Sequence, residues 1–428
     1  MKFKPKIWHL LLSIWIVIAV IRFELLIDLI ELWFNYFLFT IRDFKTALQI
    51  IDFNFFDALL SIKLFILLPV LAFILHKRLK WWKEKINFSI TMLLFLLFAF
   101  LFAPLITDSN PDFQKDLRVT KLLAPFSSVK VIRLKNTGDP NESEVEKFVN
   151  YKNSIIQVSY NESIILASDL LIKDNLITYT QDDLEKNISF ENLKLADGKP
   201  LVTNKFFFLG TDEFGRDIFA RLIYGSRISL LVGIGSVIIS LLIGVSFGFI
   251  AGYKGGHIDT VLSRLSDLFL SFPIIYLVVL ILALFGNSLS SVIIVLGLSG
   301  WMSLFKIVKS EVLSEKSKDY IIAAEMLGQT KRRILTREIL PVIFIPVIVN
   351  IIFQFSNVVL AESALSYLSL GTGSTHPSWG AMIQSGQRYI TKAWWMISFP
   401  GLILIFTLFA VNDFGKKLNE IINPGAAK

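Results

Sequence analysis

Long apolar runs alternate with short polar intervals along most of this 428-residue chain. Runs at 7–21, 59–75, 88–106, 228–251, 267–285, 290–308, 339–361 and 394–411 predict eight membrane-spanning helices. Several reach about 18 residues or more, enough to cross a hydrocarbon core of about 30 Å. Residues 22–57 instead mix Asp, Glu and Arg with Phe, Leu and Ile, which suits amphipathic helices at the outer interface. Residues 108–209 are polar and slightly acidic. Short β-branched runs at 129–134, 154–160, 163–168 and 176–180 are separated there by Asn, Asp and Gly. The pattern divides the chain into an extension with two spans (1–87), a further span (88–107), an extracytoplasmic domain with β-strands (108–209) and a five-span core (210–428). The fold class expected is an all-α polytopic membrane protein carrying an inserted β-containing domain.

The polar stretch Lys316–Pro341 lies between two apolar runs. Asp319 or Ser317 can cap a helix there. Tyr320, Ala323, Ala324 and Leu327 follow at i, i+3, i+4 and i+7, one apolar stripe at helical spacing. Gly328 can end that helix in a left-handed cap, and Thr330 can start the next. Pro341 marks the return to apolar sequence. The object expected is a short helix, a glycine turn and a second short helix. An ordinary basic loop with a surface helix is the alternative.

Charge sets the orientation. The basic interval 76–85, with its Trp pair, reads as cytoplasmic under the positive-inside rule. Counting spans from it makes 316–338 cytoplasmic, and Lys331, Arg332, Arg333 and Arg337 agree. Both termini then face the cytoplasm. Arg216, Arg221 and Arg227 fall on the external side against that rule, which long translocated domains escape. The net charge of +8 sits beside apolar spans and implies lipid, with no nucleic-acid partner.

Composition narrows the chemistry. Hydrophobic residues make up 54% and charged residues only 18%, where a soluble chain carries about a quarter charged. Without cysteine there is no disulfide or thiolate chemistry. The four His residues are far apart and suggest no metal cluster. No GxxxxGK[ST] loop occurs, and Gly371-Thr372-Gly373-Ser374 lacks the lysine that would reach a phosphate. Asn-x-Ser at Asn141, Asn161 and Asn187 reads as chance. Transport or signalling is expected, with no catalysis and no cofactor. Glu362, near the outer end of an apolar run, is a costly group there. It faces a translocation path, snorkels or pairs helices. Asp267 is expected to cap or pair locally. Gly233, Gly235, Gly244 and Gly248 are expected to permit close helix packing.

Four stretches carry a resemblance. They are Leu209–Gly233 (LGTDEFGRDIFARLIYGSRISLLVG), Ala251–Pro273 (AGYKGGHIDTVLSRLSDLFLSFP), Tyr320–Pro341, and Ala361–Gly371 with Pro377–Ile383. Residues from about 206 onward resemble the inner-membrane permease subunits of binding-protein-dependent ABC importers. The likeness is to the second-permease branch of the dipeptide, oligopeptide and nickel group. The first 208 residues depart from that family, apart from the span at 88–106.

The resemblance implies a type I importer permease core in a bacterial inner membrane. It implies four kinds of partner: a homologous second permease, two ABC ATPases, an extracytoplasmic solute-binding protein and a peptide cargo. Nickel or another small solute is the alternative cargo. A secondary transporter or a membrane sensor is the rival class. Asp319, Tyr320, Ala323, Ala324, Glu325, Leu327, Gly328 and Pro341 correspond to the family's ATPase-coupling motif, with Ile322 where Glu is frequent. Gly210, Thr211, Asp212, Gly215, Arg216 and Asp217 correspond to its hallmark segment. They are read here as a structural elbow in which Thr211 or Asp212 caps a helix and Arg216 pairs with Asp217.

Overall fold

The structure, a computed structural model, describes residues 7–75, 87–135, 143–156, 164–173, 175–181, 184–196, 198–371 and 377–422. The basic interval 76–85, residues 372–374, and Asn141 and Asn161 therefore lie outside the described residues.

Helices α1 (Ile7–Ile21), α2 (Phe23–Arg42), α3 (Phe44–Ile50), α4 (Phe53–Leu75) and α5 (Phe88–Ile106) open the chain. Asp43 caps α3 by accepting from Thr46 N, and Asn87 caps α5 by accepting from Ile90 N. Then come α6 (Leu117–Thr120), β1 (Ser127–Arg133), α7 (Glu144–Ile155), β2 (Ile164–Ala167), β3 (Leu170–Lys173), β4 (Leu176–Gln181), β5 (Leu184–Ser189), β6 (Leu195–Ala196), β7 (Lys199–Pro200) and β8 (Val202–Phe207). The remainder is helical: α8 (Ile218–Lys254), α9 (Gly256–Ser271), α10 (Ile274–Phe285), α11 (Leu289–Lys316), α12 (Asp319–Met326), α13 (Lys331–Arg333), α14 (Leu340–Tyr367), α15 (Trp379–Gly386) and α16 (Trp395–Ile422).

Six helical runs among the described residues are long and apolar enough to cross a bilayer. The pair α1–α2 adds a seventh only if its two helices, bent by 81°, count as one span. The sequence led us to expect eight. The run at 7–21 forms a helix of only 15 residues. The run at 267–285 is broken at Phe272–Pro273, leaving a 12-residue α10. Pro273 has no N–H to continue α9, and its ring would clash with the carbonyl four residues back.

The chain divides into two compact units. The first comprises Met1–Ser226 with Ser385–Gly401. In it α1, α2, α4 and α5 share a core that includes Leu29, Leu32, Phe55, Ile62, Phe98 and Phe102. Trp15 donates its Nε1–H to Phe65 O at 2.9 Å, and Ser61 donates to Leu101 O at 2.8 Å. The strands form an antiparallel sheet β2-β1-β8, a second sheet β3-β4-β5 and the pair β6-β7. Alternate residues of β1 point to opposite faces. Val129 and Val131 join one core with Leu166 and Phe207, and Ile132 joins another with Ile177 and Tyr179.

The run at 154–160 was expected as a strand. Ser154 and Ile155 instead end helix α7, and 157–160 lie outside the described residues. A capping box sets the start of α7: Ser143 accepts from Glu146 N, and the Glu146 carboxylate accepts from Ser143 N. Phe148, Tyr151 and Ile155 then lie on one helical face and pack against the core of the membrane helices. Lys152 is buried beside them, with its ammonium 2.5 Å from Asp52 and 3.3 Å from Ile50 O.

The second unit comprises Arg227–Gln384 with Leu402–Lys428. A Cβ added at Gly244 or Gly248 would lie 2.9 Å from Leu304 Cβ or 2.8 Å from Val308 Cβ, so α8 and α11 meet backbone against side chain. Asp267 pairs with Lys306 at 2.8 Å.

Candidate functional site

Helix α12 begins one turn after α11 ends. Lys318 is its N-cap and offers no side-chain cap, while Ser317 closes α11 and donates to Ser314 O at 2.8 Å. The expected capping by Ser317 or Asp319 is therefore corrected: Asp319 is the first helical residue. Glu315, a buried carboxylate at the end of α11, fixes the junction. It accepts from the Tyr320 hydroxyl at 2.6 Å and is ion-paired with Lys318. The hydrogen bond to Glu315 pushes the Tyr320 phenol up to about 12.

The expected apolar stripe is divided between two faces. Ala324 (8% exposed) turns inward with Ile321 and packs on Ile334, Ile339 and Ile343. Tyr320, Ile322, Ala323, Glu325, Met326 and Leu327 turn outward. Met326 and Leu327 are 85% and 83% exposed and form the tip. One intervening residue causes the split: Ile321 has the larger buried side chain and takes the inward face together with Ala324.

Gly328 has φ +75°, the left-handed conformation that glycine adopts without strain. Its N–H reaches Glu325 O at 3.0 Å and Gln329 N–H reaches Ala324 O at 3.1 Å. Those two bonds make a Schellman cap. Thr330 precedes α13 as expected but makes no side-chain cap bond. The second helix is not a separate short one. It passes through a π-helical turn at Ile334–Ile339 into α14, with Pro341 in the first turn of that helix. The Leu340 N–H skips to Leu335 O, a wider turn that leaves room for the proline ring.

The hallmark segment is a closed loop. Thr211 bridges Asp217, and Ile218 N–H donates to Gly210 O at 3.0 Å. Asp212 accepts from Phe214 N and Arg216 N, both at 2.9 Å, and pairs with Arg216 Nε at 2.6 Å. Arg221 lies 3.7 Å from Asp212 and 3.2 Å from Asp112. Asp217, rather than Thr211 or Asp212, caps α8 by accepting from Phe219 N at 2.8 Å. Arg216 pairs with Asp212, not with Asp217. Gly210 and Gly215 both have positive φ, and a Cβ on Gly215 would strike Thr120. Trp395 Nε1–H donates to Thr211 O at 3.1 Å. Arg216 and Arg221 thus both answer the buried carboxylate of Asp212.

Burial pushes the Asp217 carboxyl up to about 6. A raised folded pKa means that the folded state holds the proton more tightly. Stability conferred by this group is then full below about pH 4 and lost as pH rises to about 6. Asp217→Asn keeps an acceptor for Phe219 N without that ionisation. Its stability relative to the parent is expected to grow between pH 4 and 6 by on the order of 2 kcal/mol, then level off. Denaturation midpoints in detergent at several pH values check this; parallel pH profiles would refute it.

Glu362 is fully buried (0% exposed). Its side chain is therefore packed inside the second unit and does not snorkel. Its carboxylate accepts from Ser366 at 2.7 Å, Ser229 at 3.1 Å and Ser363 at 3.5 Å. Ser378 lies 3.3 Å from Ser366 and accepts from Ala381 N at 3.2 Å. A Cβ at Gly380 would lie 2.6 Å from Ser363 Cα, so α15 sits against the α14 backbone. Four hydroxyls thus gather the start of α15, residue 229 of α8 and the C-terminal part of α14 around one carboxyl group. Glu315, Ile321, Met326 and these serines escaped the sequence reading. Only the spacing of Ser363 and Ser366 after Glu362, within one helical turn, could have signalled any of them.

Known proteins add independent findings. The family described as binding-protein-dependent transport system inner membrane component matches residues 244–428. The chain is 36% identical over 218 residues to the di/tripeptide transport system permease protein DppC of Pseudomonas aeruginosa, covering 51% of this chain and 72% of that protein. It is 29% identical over 294 residues to the oligopeptide transport system permease protein OppC of Bacillus subtilis, covering 68% and 95%. Among solved structures, an inward-facing MetNI methionine ABC transporter is similar over 47% of this chain and 96% of that one, at 16% identity and a TM-score of 0.40.

Proposed function

The chain belongs to the family of binding-protein-dependent transport system inner membrane components, and from that premise we propose that it is the permease of an ATP-driven peptide importer. In this reading it is a multi-pass protein of a bacterial inner membrane, with both termini and α12 on the cytoplasmic side. It pairs with a homologous permease, and two ABC ATPases and an external solute-binding protein complete the machine. It hydrolyses no ATP itself. Peptide is favoured as cargo over nickel because the relatives above are named as di/tripeptide and oligopeptide permeases.

The observation that carries the reading is the exposed tip of α12. Ala323, Met326 and Leu327 present apolar side chains outward on a short, capped helix. That is the shape of a knob for a groove on another subunit. Lys331, Arg332 and Arg333 stand exposed beside it and suit an acidic rim.

The knob is tied to two spans. Glu315 holds it to α11, and Ile321 and Ala324 hold it to the helical run entering α14. A partner closing on the knob would therefore move both spans together, a rigid-body change between packed states. Co-purification with candidate ABC ATPases tests the proposal. Stable recovery of both ATPase copies is expected, and their absence under conditions that retain the second permease would refute it.

A further inference from the structure

The first unit contains a cavity of about 1110 Å³, larger than most small-molecule sites. It lies outside the segments to which the family resemblance assigns a role. Besides Arg22, Asp108 and Lys205, two sets of charge line it. Glu24 and Asp28 are one turn apart on the same face of α2. Arg133, Lys135 and Lys194 line it from the end of β1 and the segment paired with it. The backbone draws these three together: Lys194 N–H donates to Arg133 O, and Lys135 N–H to Asn192 O, each at 2.9 Å.

None of these five side chains forms an ion pair among the described residues. All five are solvent-exposed, so their charges are open to a ligand entering the cavity. Arg22, at the same wall, is by contrast already satisfied by Asp108. Ser109 supplies a further sign: it lines the cavity, is buried, and its Oγ has no hydrogen-bond partner. Aliphatic side chains, among them Val131 and Ile156, complete the lining.

We propose that this cavity binds a short peptide by its two free ends. The peptide ammonium pairs with Glu24 and Asp28, the carboxylate pairs with Arg133 and Lys194, and apolar side chains lie between. The lining supplies partners of both signs together with aliphatic surface. A phospholipid headgroup also carries both signs and is the competing outcome of the test. The choice of peptide rests on the importer reading; the two-signed cavity itself does not.

The test uses the full chain in nanodiscs and calorimetric titration with Ala-Phe-Ala, its N-acetyl form and its C-amide form. Blocking either end is expected to weaken binding at least tenfold. Arg133→Gln with Lys194→Gln should weaken the free peptide at least tenfold and abolish its advantage over the amide. Glu24→Gln with Asp28→Asn should do the same for the acetylated end. Recovery of ATPase subunits with these variants shows that they fold. Blocked peptides that bind as well as the free one would overturn the proposal. So would variants that bind like the parent, a result that places peptide elsewhere and leaves the importer reading intact. A signal that follows phosphatidylethanolamine content instead of peptide would overturn it too. Failure of every peptide to bind removes the cavity site, while ATPase co-purification decides the importer reading separately.

Discussion

Replacing Ala323 and Leu327 together by glutamate is expected to cut ATPase recovery by at least about thirtyfold while leaving the chain folded. Both side chains point outward, so the unbound chain loses little; such surface changes usually stay within about 0.5 kcal/mol. In a groove they would carry unpaired carboxylates out of water, at about 2 kcal/mol or more. Each 1.4 kcal/mol is a factor of ten in affinity. Ala324→Glu is a poorer probe, because Ala324 is packed on Ile334 and Ile339 and the change would disturb the fold itself. Gly328→Val asks a different question. Space around Gly328 is open, so the cost is the left-handed backbone alone, about 1–2 kcal/mol. Recovery should fall modestly, with the fold retained. Full recovery of ATPases with the double glutamate variant would remove α12 from the coupling role.

Glu362→Ala should be the most destabilising single change in the second unit. Ser229, Ser363 and Ser366 lose their shared acceptor, and a buried void replaces the side chain. Hydrogen bonds are worth about 0.5–1.5 kcal/mol each and the void adds its own cost, so a loss of about 3 kcal/mol follows. Thermal melts in detergent should fall by about 6–10 °C. Glu362→Gln preserves shape and an acceptor and should lose less than half of that. A Glu362→Ala melt within a degree of the parent would show that the serines do not depend on the carboxylate.

Some of this was legible in the chain and some was not. Apolar runs located most of the long helices, because bilayer thickness sets their length directly. The break at Pro273 was visible as a residue, yet its effect on a 19-residue apolar run depends on whether the two halves stay collinear. The knob shows the same limit. Helical spacing placed Tyr320, Ala323, Ala324 and Leu327 on one stripe, but Ile321 and Ala324 were claimed by the chain's own core. Spacing says which residues share a face and not which neighbour covers it. Gly328 was readable because a left-handed cap is a local property of backbone sterics. Asp217 was missed as the cap of α8 because Thr211, Asp212 and Asp217 all have capping side chains. The bridge from Thr211 to Asp217, a pairing six residues apart, decided among them. Helix α7 was hidden by β-branched residues at its end, although Ser143 and Glu146 spelled its capping box.

The most direct measurement exploits the absence of cysteine from the chain. Leu327→Cys would place a single thiol at the exposed tip of α12, facing an ABC ATPase that carries cysteines introduced around its docking groove. The account predicts a disulfide-linked adduct of the two proteins in membranes, lost when the Ala323→Glu change is added. Labelling of that thiol by a membrane-impermeant reagent applied outside intact spheroplasts, with no adduct formed, would contradict it.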